Sequence, residues 1–184
     1  MENEIYFSLT KEKEKCITNI IEKGLVKNKD EVVLMCLGTP KLDCDSFAPM
    51  FGQKVKEKCL NIICYGDMDS PETAKTAKNT YELIKEKHKN ALVISIGSMV
   101  SGRNDMNKGE LYLGSKRFLV AAGFNRGNPE KTYEVGDIKI VYKVGVSKTD
   151  AMLYSNEIYN TNKSINILIN FIEELIDNIN ELKE

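Results

Sequence analysis

Three short apolar runs constrain this chain most: "EVVLMCLG" at 31–38, "LNIICYG" at 60–66 and "NALVISIG" at 90–97. Each is continuous rather than alternating, rich in β-branched residues and closed by glycine. That is the pattern of a strand buried on both faces of a parallel sheet. Helical segments separate them. "FAPMFGQKVKEKC" places Pro49 in a first turn. "DSPETAKTAKNTYELIKEKHK" offers Ser70 as N-cap, Pro71 at the first helical position, Glu72 against the dipole and a basic run at its end. Strand, helix, strand, helix, strand is the order that builds a parallel sheet through right-handed crossovers.

The flanks extend this frame. Upstream, Cys16, Ile17, Ile20 and Ile21 recur at helical spacing, with Ser8 or Thr10 available as a cap and Gly24 as a stop. Downstream, "GELYLG" and "GDIKIVYKVGV" read as further strands, separated by a Gly- and Asn-rich loop, "AAGFNRGNPEKTYEVG". In the last segment Ile165, Leu168, Ile169, Ile172, Leu175, Ile176 and Ile179 form one apolar helix face. Core packing is the first reading of that face, and a homodimer seam the alternative. No repeat or linker interrupts the pattern, so residues 1–184 read as a single α/β domain, three-layer α/β/α with a mostly parallel sheet.

Composition narrows the function classes. The formal net charge is −1, with basic residues scattered among acidic ones. That gives no footprint for nucleic acid or an anionic membrane surface. No apolar stretch approaches the roughly 20 residues of a membrane span, and the polar start "MENEIYFSLTKEKEK" is unlike a signal peptide. The expected location is therefore cytoplasmic. Five cysteines (16, 36, 44, 59 and 64) without CxxC spacing are expected as free thiols rather than a disulfide framework or a zinc site. Cys36, Cys59 and Cys64 read as small core residues.

The stretch with chemical interest is "CLGTPKLDCDSFAPMFGQ", where Asp43 and Asp45 follow the first buried run and lead into a helix. In an open α/β sheet, ligands gather beyond the carboxyl ends of the strands. "YGDMDSP" and "GSMVSG", after the second and third runs, end at the same edge. Asp45 has two readings: a cap or turn residue, for which Asp is well suited, or a functional carboxylate. Cys44 beside it has no histidine nearby in sequence to activate it, since the only one, His88, closes a helix at the opposite edge. "GFNRGNP" around Arg126 lacks the strand–loop–helix frame of a phosphate loop and reads as a surface loop.

Taken together, these segments resemble the YyaC-like sporulation proteins, relatives in fold of the spore germination protease and the hydrogenase-maturation endopeptidases. "CLGTPKLDCDSFAPMFG" is similar to a family stretch of the form C-I-G-T, then G-D-S-L-G-P-L-x-G. "YGDMDSPETA", followed by "HKNALVISI", is similar to Y-G-T-L-D-x-P-V-H-A and a later H-P-N-A with a strand. "VGDIKI" and "NT" at Asn160 and Thr161 complete the series, which covers about residues 31 to 175 in order.

The resemblance implies a phosphorylase/hydrolase-like α/β fold and a peptidase-like site built on acids. Asp45 falls on the acidic residue that the relatives use for metal binding or catalysis, so it becomes the expected metal ligand and catalytic acid. Their second acid lies in I-D-A-C-L-G, where this chain reads "IGSMVSG" with Gly97 at the aspartate position. Thr73 stands for the histidine of P-V-H-A, Cys44 for the glycine before Asp45, and Asn162 for the arginine after "NT".

A pair of carboxylates splits pKa values and lets one member activate water while the other stays protonated. One alone cannot. Asp67, at the family's threonine position, is the candidate replacement, with a turn residue before Ser70 as its other reading. The expectation is a sporulation-associated, peptidase-like protein with a degenerate acidic site, acting on a protein or peptide, with a divalent metal ion as the one cofactor the relatives suggest. The alternatives are a catalytically silent binding or assembly protein on the same scaffold and, from fold alone, a flavodoxin-like binder of small molecules.

Overall fold

The computed structural model describes residues 4–58, 60–120, 132–153 and 158–182. Its centre is a six-stranded sheet. In chain order the elements are β1 (Tyr6–Ser8), α1 (Lys13–Glu22), β2 (Glu31–Leu37), a 3₁₀ turn (Asp43–Asp45), α2 (Phe47–Glu57), β3 (Ile63–Tyr65), α3 (Ala77–Lys87) and β4 (Ala91–Val100). They continue with β5 (Leu111–Gly114), β6 (Phe118–Val120), β7 (Tyr133–Val135), β8 (Ile138–Gly145), α4 (Lys148–Leu153) and α5 (Ile158–Glu181).

The strand order is β1-β5-β8-β4-β2-β3, with β6 and β7 forming a separate two-stranded ribbon. β3, β2, β4 and β8 are mutually parallel. β5 pairs antiparallel with β8, and β1 antiparallel with β5. The apolar runs of β2 and β4 form the middle of the sheet, where both faces are covered. The run at 60–66 instead supplies the edge strand β3, with Ile63 exposed rather than buried on both faces. Val32, Leu34 and Cys36 of β2 enter a core shared with α1, α2 and α5, whereas Val33, Met35 and Leu37 pack with α3, β6 and β7. This is the expected three-layer α/β arrangement with a mostly parallel sheet.

β8 is buried at every position, including Lys139 and Lys143. Both cations are held: Lys139 by Glu4 at 2.6 Å, and Lys143 by the carbonyls of Arg103 and Met106 at 3.0 and 2.6 Å. In the apolar face of α5, Ile165, Leu168, Ile169, Ile172, Leu175 and Ile179 are buried in the chain's own core, and Ile176 is partly so. Among the described residues no helix is long and apolar enough to cross a membrane.

Three sequence expectations are corrected here. The helix expected from Ser70 begins only at Ala77, with Thr76 before it. The stretch ahead of it is used elsewhere: Glu72 bridges to Leu37 as an extra parallel rung of the sheet, and its carbonyl accepts the Gly38 N–H at 2.9 Å. The α1 helix is preceded by Glu12 rather than capped by Ser8 or Thr10, although Gly24 does end that region with φ 66°. β4 runs on past Gly97 to Val100, because β8 continues to pair with it up to Gly145. The loop around Arg126 lies outside the described residues, as does Cys59. Asn160 and Thr161 fall within the span of α5.

Candidate functional site

The carboxyl ends of β2, β3, β4 and β8 share one edge of the sheet, and the chain leaves β2 there through a tight turn. Gly38 is required at its start: a Cβ at this position would lie 2.1 Å from the Asp45 carbonyl oxygen. That close approach lets the Thr39 N–H donate to the Asp45 carbonyl at 3.0 Å and folds the 3₁₀ turn back over the end of β2. The turn then hands over to α2 and neighbours β4 and α4. Asp45 is thereby half-buried. Among the described residues no cation pairs with it, and burial pushes its carboxyl up from 3.8 to about 6, with the Thr39 backbone pulling the other way.

Cys44 and Phe47, near Asp45 in the chain, pack on one face of the sheet. Cys44 packs against the core of α1, α2 and α5, and Phe47 belongs to that core. There Phe47 stacks on Tyr142, with ring centroids 4.1 Å apart and planes within 10°. Ser98 is in register with Tyr142. Its hydroxyl oxygen is buried with no hydrogen-bond partner among the described residues. Ser98 was not singled out from sequence, where attention fell on its neighbour. The signal was a lone hydroxyl on the inner face of a buried strand, in "IGSMVSG".

Gly97 faces the other way. It is in register with Leu37, and a Cβ built on it would meet the Phe118 ring at 2.5 Å. Phe118 packs with the α3 and β6–β7 side of the sheet. Gly97 therefore does lie at the same edge as Asp45, yet a side chain there would start on the face opposite Cys44 and Phe47.

Asp67, the other candidate catalytic residue, follows β3 at the same edge. One of its oxygens accepts the backbone N–H groups of Asp69 and Ser70 at 2.8 and 2.7 Å, and the other accepts from Lys56 at 2.8 Å. The Lys56 hydrogen bond, aided by the two backbone donors, holds its carboxyl below the usual range. Neither Asp67 nor Asp45 is among the charges acting on the other. The fold does not bring the two together.

A third carboxylate is Glu72, whose position suggests a helix-dipole role from sequence. One of its oxygens is buried without a partner among the described residues, and its charge reaches Tyr133 on the Phe118 side. Burial first, and then the Asp45 charge, push the Cys44 thiol up, which does not favour a nucleophile. His88 binds Glu31, at the start of β2, at 3.0 Å and Tyr65 at 3.1 Å, at the opposite edge. Among the described residues no three His, Cys, Asp or Glu side chains are grouped to hold a metal ion. The surroundings of Asp45 thus do not fit the implied divalent ion, which needs several oxygen or nitrogen ligands. What the arrangement offers is a half-buried carboxyl at the end of β2 that burial makes hold its proton more tightly than an ordinary aspartate.

A mostly parallel six-stranded sheet, covered by helices on one face and by α3 and the β6–β7 ribbon on the other, defines a three-layer α/β protein. The chain belongs to the family described as "Protein of unknown function (DUF1256)", whose model matches residues 5–181. It is similar to "Uncharacterized protein YyaC" of Bacillus subtilis (strain 168), with 30% identity over 135 residues. That match covers 72% of this chain and 63% of the relative, so the chain spans less than two thirds of the relative's length.

Proposed function

We propose that this chain is a sporulation-linked, peptidase-like protein of the superfamily of the spore germination protease and the hydrogenase-maturation endopeptidases. In this reading Asp45 is what survives of the acidic site, and the protein holds a protein or peptide at that edge without cleaving it, in the cytoplasm. The motif series from "CLGTPKLDCDS" to "NT" supports the ancestry. The observation that carries the loss of hydrolysis is the lone Asp45: its partner position is Gly97, turned toward Phe118, and Asp67 is committed to Lys56 and its own turn. A carboxyl of this kind donates to a carbonyl when protonated and accepts from an amide when ionised, which suits a peptide backbone.

One observation favours a hydrolytic alternative. The buried, unpartnered oxygen of Glu72 is an acid at the same edge that the relatives' pattern does not contain. Peptidase assays on a mixed peptide library, with zinc, nickel or magnesium added, separate the two readings. The wild type is expected to leave every peptide intact. Cleavage that is lost in both Asp45→Asn and Glu72→Gln would establish an acid pair and overturn the binding-only reading.

A further inference from the structure

Away from Asp45, two thiols meet. Cys36 near the end of β2 and Cys64 in β3 lie with their sulfurs 3.6 Å apart, in van der Waals contact and unbonded. The contact is built by close backbone packing. A Cβ on Gly52 of α2 would lie 2.0 Å from the Gly66 carbonyl oxygen and 3.4 Å from the Cys64 sulfur. A Cβ on Gly66 would in turn lie 2.2 Å from the Cys36 carbonyl oxygen. Two glycines therefore press α2 and the end of β3 onto β2 at the point where the sulfurs touch.

The two cysteines differ in access. Cys36 is fully buried. Cys64 lines a cleft of about 270 Å³ together with Gly52, Val55, Lys56, Leu60, Ile62 and Asp67. Lys56 and Asp67 stand on the same wall as an ion pair, 2.8 Å apart. The cleft gives a small oxidant access to Cys64, and access is one of the conditions for a thiol to be oxidised.

We propose that Cys36 and Cys64 form a reversible redox modification site: a hydroperoxide entering the cleft oxidises Cys64, and Cys36 then closes a disulfide. The Cys64 thiolate attacks one peroxide oxygen and the O–O bond breaks. Sulfur becomes a sulfenic acid, and water or an alcohol leaves with a proton. Burial and the neighbouring Cys64 keep the Cys36 thiol protonated, so it next attacks the Cys64 sulfur as the neutral thiol within the 3.6 Å contact. The S–O bond breaks, and the Cys36 proton goes to the departing oxygen, which leaves as water. Two thiols are oxidised and one peroxide is reduced.

Closing the gap to a bond of about 2.05 Å requires one strand to move. Cys64 is paired with Leu34, so Cys36 is one diagonal step further along. β3 is the strand that yields, since it is three residues long and bonded to β2 alone. Its shift carries the Asp67 turn with it. This proposal is independent of what Asp45 binds.

The test treats folded wild-type protein with hydrogen peroxide, blocks the remaining thiols with an alkylating agent, and maps the peptides by mass spectrometry. The expected product is a Cys36–Cys64 linked peptide that dithiothreitol removes and that is absent from Cys64→Ser. In Cys36→Ser, Cys64 should instead be trapped by dimedone as the sulfenic acid. The proposal is overturned if wild-type Cys64 stays reduced, accumulates as dimedone adduct without a bridge, or pairs with any other cysteine. The wild-type map decides even if Cys36→Ser fails to fold.

Discussion

Replacing Asp45 with asparagine should make this protein more stable, and only above a certain pH. Burial disfavours the charged form of Asp45, so its carboxyl is pushed up to about 6 when folded, against 3.8 for an ordinary aspartate. An acid whose folded pKa is raised holds its proton more tightly in the folded state. Its full favourable contribution is therefore present below about pH 4 and is lost as pH rises through about 6. A shift from 3.8 to about 6, at about 1.4 kcal/mol per unit, amounts to about 3 kcal/mol by neutral pH. Asparagine keeps the shape and the acceptor for the Thr39 N–H but carries no charge to desolvate.

Urea unfolding of both proteins should show nearly equal stability near pH 4. The Asn variant should gain steadily through about pH 6 and lead by up to about 3 kcal/mol at about pH 8. A difference that does not vary with pH, or a variant less stable at about pH 8, would show that Asp45 is not a desolvated carboxyl and would refute the reasoning.

Other substitutions probe the same edge. Gly97→Asp should destabilise by about 1–3 kcal/mol through overpacking against Phe118, and should gain no affinity for zinc in a calorimetric titration. Adding Phe118→Ala should recover part of the loss caused by Gly97→Asp, measured by the same unfolding experiment. Phe47→Ala removes the ring stacked on Tyr142 and should cost about 3–5 kcal/mol in thermal or urea unfolding. Ser98→Ala deletes a buried hydroxyl that has no partner among the described residues. It should leave stability unchanged or raise it by up to about 1 kcal/mol, and a loss of more than that would reveal an internal hydrogen bond.

The centre of the sheet was legible in the sequence because buried parallel strands carry unbroken apolar runs, as β2 and β4 do. The third run was rightly read as a strand, but β3 is a partly exposed edge strand rather than a buried one. β1 and the β6–β7 ribbon were not, since strands of three residues carry too few side chains to set a period. The start of α3 was misplaced for a physical reason. "DSPE" has the residues of a helix start, but the Glu72 carbonyl and the Asp67 carboxylate use the same stretch to bridge Leu37 and close a turn. The placement of Asp45 at the carboxyl edge of the sheet could be read from its position after a buried strand.

The orientation of Gly97 could not be found that way. A one-residue step along β4 exchanges the two faces, so Gly97 meets Phe118 while Ser98 lines up with Tyr142. Motif alignment marks the position and leaves the face to the register. The Cys36–Cys64 contact was hidden for a similar reason, because nothing in their spacing tells that β2 and β3 are neighbours in that register.

The central claim is that Asp45 stands without a second acid. A crystal structure of the protein soaked with nickel or zinc tests it most directly. The account predicts no ion coordinated by Asp45, with its carboxyl still bounded by the Thr39 turn. An ion held jointly by Asp45 and another carboxylate, Glu72 or Asp67 included, would contradict it.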